Sequence, residues 1–169
     1  VTVTGSESTG KTWLARRLAQ RFQTVWVTEF SREYAVHKTA PLDASDVEPI
    51  AHGQIREEDD VLRRARDLAI LDTDLVSTVV YAEHYYGECP PWVEQTARER
   101  LADLYLLCDI DVPWVPDAVR DRPHARVEMH AEFVARLERY SARTTLVRGS
   151  WDARESSAVA AVEKLLSRG

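Results

Sequence analysis

Val1-Thr2-Val3-Thr4-Gly5-Ser6-Glu7-Ser8-Thr9-Gly10-Lys11-Thr12 joins four β-branched residues to a glycine-bounded octet that satisfies G-x-x-x-x-G-K-[ST]. Directly after it Leu14, Leu18 and Phe22 recur every fourth residue, the spacing of one helix face. Strand, glycine loop and amphipathic helix in that order describe a phosphate-binding loop. Its glycines let the backbone wrap closely around phosphate, and its N–H groups form an anion nest. The helix start adds a positive dipole end worth roughly 0.3 to 1 kcal/mol, more when partly buried. Gly5, Ser6, Glu7, Ser8, Thr9, Gly10, Lys11 and Thr12 are therefore expected to hold a nucleoside triphosphate, ATP with Mg²⁺. In that reading Lys11 reaches the β- and γ-phosphates and the Thr12 hydroxyl coordinates the metal.

Downstream, apolar runs alternate with helical patterns in a βαβα order. The runs Thr24 to Thr28, Leu68 to Asp72, Leu104 to Cys108 and Thr144 to Val147 read as strands two to five. Ser45 and Glu48 have the spacing of a capping box, with Pro49 in the first turn of a helix reaching about Arg66. Met129, Phe133, Leu137 and Tyr140 share a helix face, and a last helix is expected from about Asp152 to Ser167. The fold class expected is α/β, a P-loop NTPase of three αβα layers with a mainly parallel five-stranded sheet and an arginine-rich lid. A single kinase-like domain over residues 1–169 follows from the length and the lack of a linker.

Composition narrows the partners. A formal net charge of −6 disfavours a nucleic-acid binder, which needs a basic face, and no apolar run approaches the length of a membrane span. A cytoplasmic protein with a small-molecule partner is expected. Cys89 and Cys108 have neither paired spacing nor a matching histidine pattern, so neither zinc nor a disulfide framework is indicated.

Acidic residues stand at two strand ends. Asp72 closes the third strand, where a carboxylate would hold the Mg²⁺ hydration shell opposite the phosphate loop; Asp74 competes for that role or caps the following helix. Glu29, after the second strand, lies at the sheet edge where ligands of open α/β folds bind, and is the candidate general base. Arg32, one turn on, either orients the acceptor or pairs with Glu29 or Glu33. Arg120, Arg122 and Arg126 follow Trp114 and Asp117 in a stretch rich in proline and charge, and read as a lid closing over phosphate or as a solvated basic loop. Trp151 and Arg154, after the last strand, either stack on a base or anchor the final helix.

Taken together, GSESTGKT, TEFSREYA, the triplet Asp72-Thr73-Asp74, Tyr86-Gly87 and DIDVPWVPDAVRDRP occur in the order that resembles the ribosylnicotinamide kinase domain of NadR-type proteins. The likeness spans nearly the whole chain. It implies a nucleoside and nucleotide kinase-like domain that transfers the ATP γ-phosphoryl group to the 5′-hydroxyl of nicotinamide riboside, giving nicotinamide mononucleotide. On that resemblance Lys11, Glu29, Asp72, Arg120 and Arg122 are assigned to catalysis. Arg126, Trp151 and Arg154 join the phosphate loop on the nucleotide, Glu29, Arg32, Tyr34, Asp74 and Trp114 line the acceptor side, and Thr12 and Asp72 serve the metal. Ala118 departs from the pattern, since similar sequences carry glycine after the aspartate at the lid entry. A kinase for another nucleoside and a regulatory nucleotide switch are the rival readings. The absence of asparagine removes the N-K-x-D motif on which guanine recognition rests.

Overall fold

The computed structural model describes residues 1–114 and 125–167. Among these, five strands form one sheet: β1 (Thr2–Thr4), β2 (Val25–Val27), β3 (Ala69–Asp72), β4 (Tyr105–Cys108) and β5 (Thr144–Val147). Every pairing is parallel, in the order β2-β3-β1-β4-β5. The β-branched and aliphatic runs form strands here because helices cover both faces, so that apolar side chains are buried on either side of the pleat. In β4, Leu106 and Cys108 face one layer while Tyr105 and Leu107 face the other.

The helices are α1 (Lys11–Phe22), α2 (Phe30–His37), α3 (Val47–Leu62), α4 (Leu75–Tyr86), α5 (Pro91–Glu99), α6 (Arg126–Arg139) and α7 (Trp151–Leu166). Leu14, Ala15 and Leu18 of α1 and Ala158 and Val162 of α7 pack on one sheet face against Val3, Ile70 and Leu106. On the other face α4, α5 and α6 contribute Val76, Val79, Val93, Met129, Phe133 and Leu137, joined by Ala51 of α3. The result is the αβα sandwich expected from the alternating pattern.

Two local expectations move. The polar segment after β2 folds as α2, which buries no residue completely. The capping box lies two residues earlier than its sequence spacing indicated. Asp43 accepts from the Ser45 amide at 2.8 Å, and the Asp46 carboxylate reaches back to the Asp43 amide at 2.7 Å, capping a single 3-10 turn that leads into α3. Pro49 does fall in the first turn of α3, where its missing N–H costs nothing. That helix ends at Leu62, short of Arg66.

This topology fixes where a ligand can sit. After β1 the chain crosses the first face through α1 to reach β2, whereas after β4 it crosses the opposite face through α6 to reach β5. Because β1 and β4 are neighbours, a crevice opens beyond their carboxyl ends, at the switch point of the sheet. The glycine octet begins there.

Candidate active site

Gly5 leaves β1 with φ 134°, and a Cβ on it would stand 2.8 Å from the carbonyl oxygen of Cys108 on β4. Any side chain would push the loop off the sheet. Inside the loop the Thr9 hydroxyl and the Lys11 ammonium both donate to the Ser6 carbonyl at 2.9 Å, drawing the octet into a closed turn. Gly10, with φ 84°, ends the turn and starts α1. The first amides of α1 have no partner within the helix and are donors of the kind a phosphate takes.

A cleft of about 240 Å³ opens over this turn, and it brings together Lys11, Thr12, Glu29, Arg32 and Trp151. Glu29 lies across from the loop, at the end of β2, where it is the N-cap residue of α2 yet makes no capping hydrogen bond. Its carboxylate instead accepts from the Ser31 hydroxyl at 3.2 Å and stands 3.9 Å from the Arg32 guanidinium. Arg32 thus pairs with Glu29, one of the two alternatives its sequence position left open, and also lines the cleft.

Asp72 sits beneath them, 1% exposed. The Thr12 hydroxyl hydrogen-bonds its carboxylate, while its Oδ1 is buried without a partner among the described residues. Burial and then the nearby Glu29 carboxylate push the Asp72 pKa up to about 6. An orphaned carboxylate oxygen beside a hydroxyl at the mouth of a phosphate loop is the donor set a divalent cation would satisfy. Thr12 and Asp72 fit a hydrated Mg²⁺, which typically takes only one or two protein oxygens.

Asp74 does not join this group. It is 5% exposed, accepts from the Val76 amide at 3.0 Å as the N-cap of α4, and is held by the Tyr105 and Thr2 hydroxyls at 2.6 and 3.3 Å. All of its neighbours belong to the core, so its place on the acceptor side is corrected to a helix cap. The Tyr34 hydroxyl donates to Asp46 Oδ1 at 3.0 Å and ties α2 to the start of α3.

A model of the AAA_28 family, described as an AAA domain, matches residues 1–154. The chain belongs to this family. Among curated proteins, it is 33% identical over 124 residues to the trifunctional NAD biosynthesis/regulator protein NadR of Escherichia coli strain K12, covering 71% of this chain and 30% of that protein. Among solved structures, NadR in complex with NR aligns at 26% identity with a TM-score of 0.83, covering 96% of this chain and 49% of that one. NadR in complex with NAD and AMP-PNP aligns at the same identity with a TM-score of 0.80, covering 96% and 48%. The chain therefore spans a third to a half of the length of these relatives, and the resemblance to NadR-type proteins read from the motifs stands.

In this AAA_28 chain further residues surround the phosphate loop. The Trp151 ring lies directly over Gly10, where a Cβ would stand 2.5 Å from it, and packs against Trp13 with ring centroids 4.8 Å apart. Ser150 caps α7 through its hydroxyl, so the helix begins at Trp151 itself, one residue earlier than expected. Arg154 is 1% exposed and donates to the carbonyls of Gly149, Thr9 and Asp109 at 3.0, 3.2 and 3.1 Å, and to the Asp111 carboxylate. Such a guanidinium has no face left for a base, which corrects the stacking expected of Arg154 and leaves that geometry to the half-exposed Trp151.

Arg126 donates to the Val112 carbonyl at 2.7 Å and to the Ser8 carbonyl at 3.0 Å, linking the segment after β4 to the phosphate loop. Trp114 borders a narrow crevice with Glu7, Tyr85 and Arg126, beside the loop. Arg120 and Arg122, with the expected lid from Val115 to His124, lie outside the described residues. Sequence reasoning missed Asp111 and Gln54. The first has a signal in the Asp109-Ile110-Asp111 run that follows β4. The second stands four residues before Glu58 on the inward face of α3, where polar side chains interrupt an apolar stripe.

Proposed function

We propose that this chain is an ATP-dependent phosphotransferase domain acting on a small hydroxyl acceptor, the 5′-hydroxyl of nicotinamide riboside, with nicotinamide mononucleotide as product. The observation that carries the reading is the position of Glu29, an uncapping carboxylate facing the phosphate loop across the same cleft as Lys11 and Thr12. An alcohol must lose its proton as it attacks the γ-phosphoryl group, and a carboxylate opposite the phosphates is suited to take it. Similarity to NadR structures solved with NR and with AMP-PNP supports both the acceptor and the nucleotide.

In this mechanism the loop amides and Lys11 bind the triphosphate and orient its terminal group. Arg32 holds Glu29 on the acceptor side of the cleft, and Glu29 receives the hydroxyl proton. Thr12 and Asp72 would hold Mg²⁺, which when bound supplies charge neutralisation to the β- and γ-phosphate oxygens. Trp151 offers an aromatic face above Gly10 for the adenine, and Trp114, which borders a separate crevice beside Glu7, is proposed to contact the acceptor. Arg120 and Arg122 are proposed to complete the charge stabilisation.

The test is ADP release with Mg-ATP in the presence of nicotinamide riboside, of other nucleosides and of no acceptor. Release that requires nicotinamide riboside, with the monophosphate detected as product, is expected. Release that requires a different nucleoside would reassign the acceptor. Release unchanged by any acceptor would replace transfer with a nucleotide-hydrolysing switch.

A further inference from the structure

Glu29 makes no capping bond to α2, yet the amide at the head of that helix is partly buried and needs an acceptor. The acceptor comes from α3. Gln54 is 3% exposed and its Oε1 accepts from the Phe30 amide at 3.1 Å. Its Nε2 donates to Glu58 Oε1 at 3.0 Å, one turn further along α3. A backbone amide can only donate, so the orientation of the Gln54 carboxamide is fixed by its two neighbours. Glu58 is held in turn by Arg100, which reaches its Oε2 at 3.4 Å and Asp59 at 2.6 Å.

A second contact acts at the same point. The Phe30 ring fills the space over Gly53, where a Cβ would stand 2.0 to 2.5 Å from ring atoms. Residues 53 and 54 of α3 thus grip both the main chain and the side chain of the residue after Glu29. Resting on the reading of Glu29 as the base, we infer that Gln54, backed by Glu58 and Arg100, is a positioning residue. By accepting from the Phe30 amide it takes over the capping role at the start of α2 and leaves the Glu29 carboxylate free to face the phosphate loop.

The physical reason is competition. With Gln54 absent, the Phe30 amide loses its acceptor, and the carboxylate of the adjacent N-cap residue Glu29 can turn to it, since carboxylates bond the open amides at a helix start readily. A general base displaced by about 1 Å loses on the order of a hundredfold in rate, while the phosphate loop on the far side of the cleft is untouched. The expected signature is a fall in kcat with nucleotide binding preserved.

The experiment is the acceptor-dependent ADP-release assay on the full chain, with KM for ATP and kcat read separately and folding followed by thermal unfolding. Gln54→Leu should lower kcat by roughly ten- to a hundredfold with KM for ATP within about twofold of the parent. Gly53→Ala, which displaces Phe30 while favouring the helix, should give the same split if Gln54→Leu does not fold. Glu58→Gln keeps an acceptor for the Gln54 amide and should hold kcat within about threefold. The double variant Glu29→Gln with Gln54→Leu should be no slower than Glu29→Gln alone, because both act on one step.

Losses that multiply in the double variant would overturn the role of Gln54. So would a folded Gln54→Leu protein at the parent rate when Glu29→Gln is slow. Glu29→Gln at full turnover would instead overturn the base itself, and the role built on it.

Discussion

Arg154 and Thr9, 145 residues apart in sequence, are joined by a hydrogen bond of 3.2 Å from the guanidinium to a carbonyl within the phosphate loop. The same guanidinium binds Asp109, Asp111 and Gly149, so one buried side chain fastens the loop to the segments that leave β4 and β5. Arg154→Leu would orphan three carbonyls and leave the Asp111 carboxylate without its cationic partner, held by the Gly149 amide and its own backbone amide. A loss of about 2 to 4 kcal/mol is expected from such a network, read as a fall in Tm of roughly 5 to 15 °C. Lys in its place should recover little, since an ammonium cannot serve four acceptors spread around a planar fork. Calorimetry on both variants checks this; an Arg154→Lys protein as stable as the parent would contradict it.

Lys11 is spent on its own loop, donating to Ser6 O, and it is almost fully buried. A triphosphate that enters the turn offers it a stronger, charged acceptor. Lys11→Ala is expected to keep the fold and to weaken AMP-PNP binding by on the order of a hundredfold or more, as titration calorimetry would register. Binding at the parent affinity would mean that nucleotide is held elsewhere.

The tryptophan over Gly10 gives a prediction of a different kind. Trp151 is 46% exposed, so part of its ring face stays open although Trp13 and the Arg154 guanidinium, 5.8 Å from its centroid, both pack on it. If that face receives the adenine, Trp151→Ala should raise KM for ATP by roughly five- to fiftyfold with kcat within about twofold, the range of a lost base–aromatic stack. Trp151→Phe should recover most of the affinity. Equal effects on ATP and on inorganic triphosphate would show that the ring shapes the loop and does not contact the base.

The phosphate loop was legible in the chain because its chemistry demands eight contiguous residues, and the sheet was legible because each strand is a short β-branched or aliphatic run between helical periods. The remainder of the site depends on partners far apart in sequence. Asp72 and Asp74 look alike as acidic residues at a strand end, and only the Tyr105 and Thr2 hydroxyls around Asp74 mark it as the cap. The Tyr34 hydroxyl goes to Asp46, twelve residues on, a partner its own position does not announce. Arg154 reads as a stacking residue until Thr9 and Asp111 surround it. In each case what a side chain does was decided by which distant group reached it first, and spacing along one chain does not carry that information.

Glu58 makes the last prediction, one of pH-dependent stability. Burial, and then the Asp74 carboxylate, push its pKa up to about 7 from an ordinary value of 4.5, against the pull of Gln54 and Arg100. Because the folded state holds a proton that the unfolded state releases, the favourable contribution is complete below about pH 4.5. It falls as pH rises and is lost above about pH 7. A displacement of that size corresponds to at most about 3 kcal/mol. Gln at this position stays neutral throughout, keeps the contact with Gln54 and leaves Arg100 its bond to Asp59. Measured by urea unfolding, Glu58→Gln should gain stability relative to the parent between pH 5 and pH 8, by about 1 to 3 kcal/mol across the interval. A difference between the two proteins that stays flat over this range would mean that Arg100 holds Glu58 ionised in the folded state at every pH.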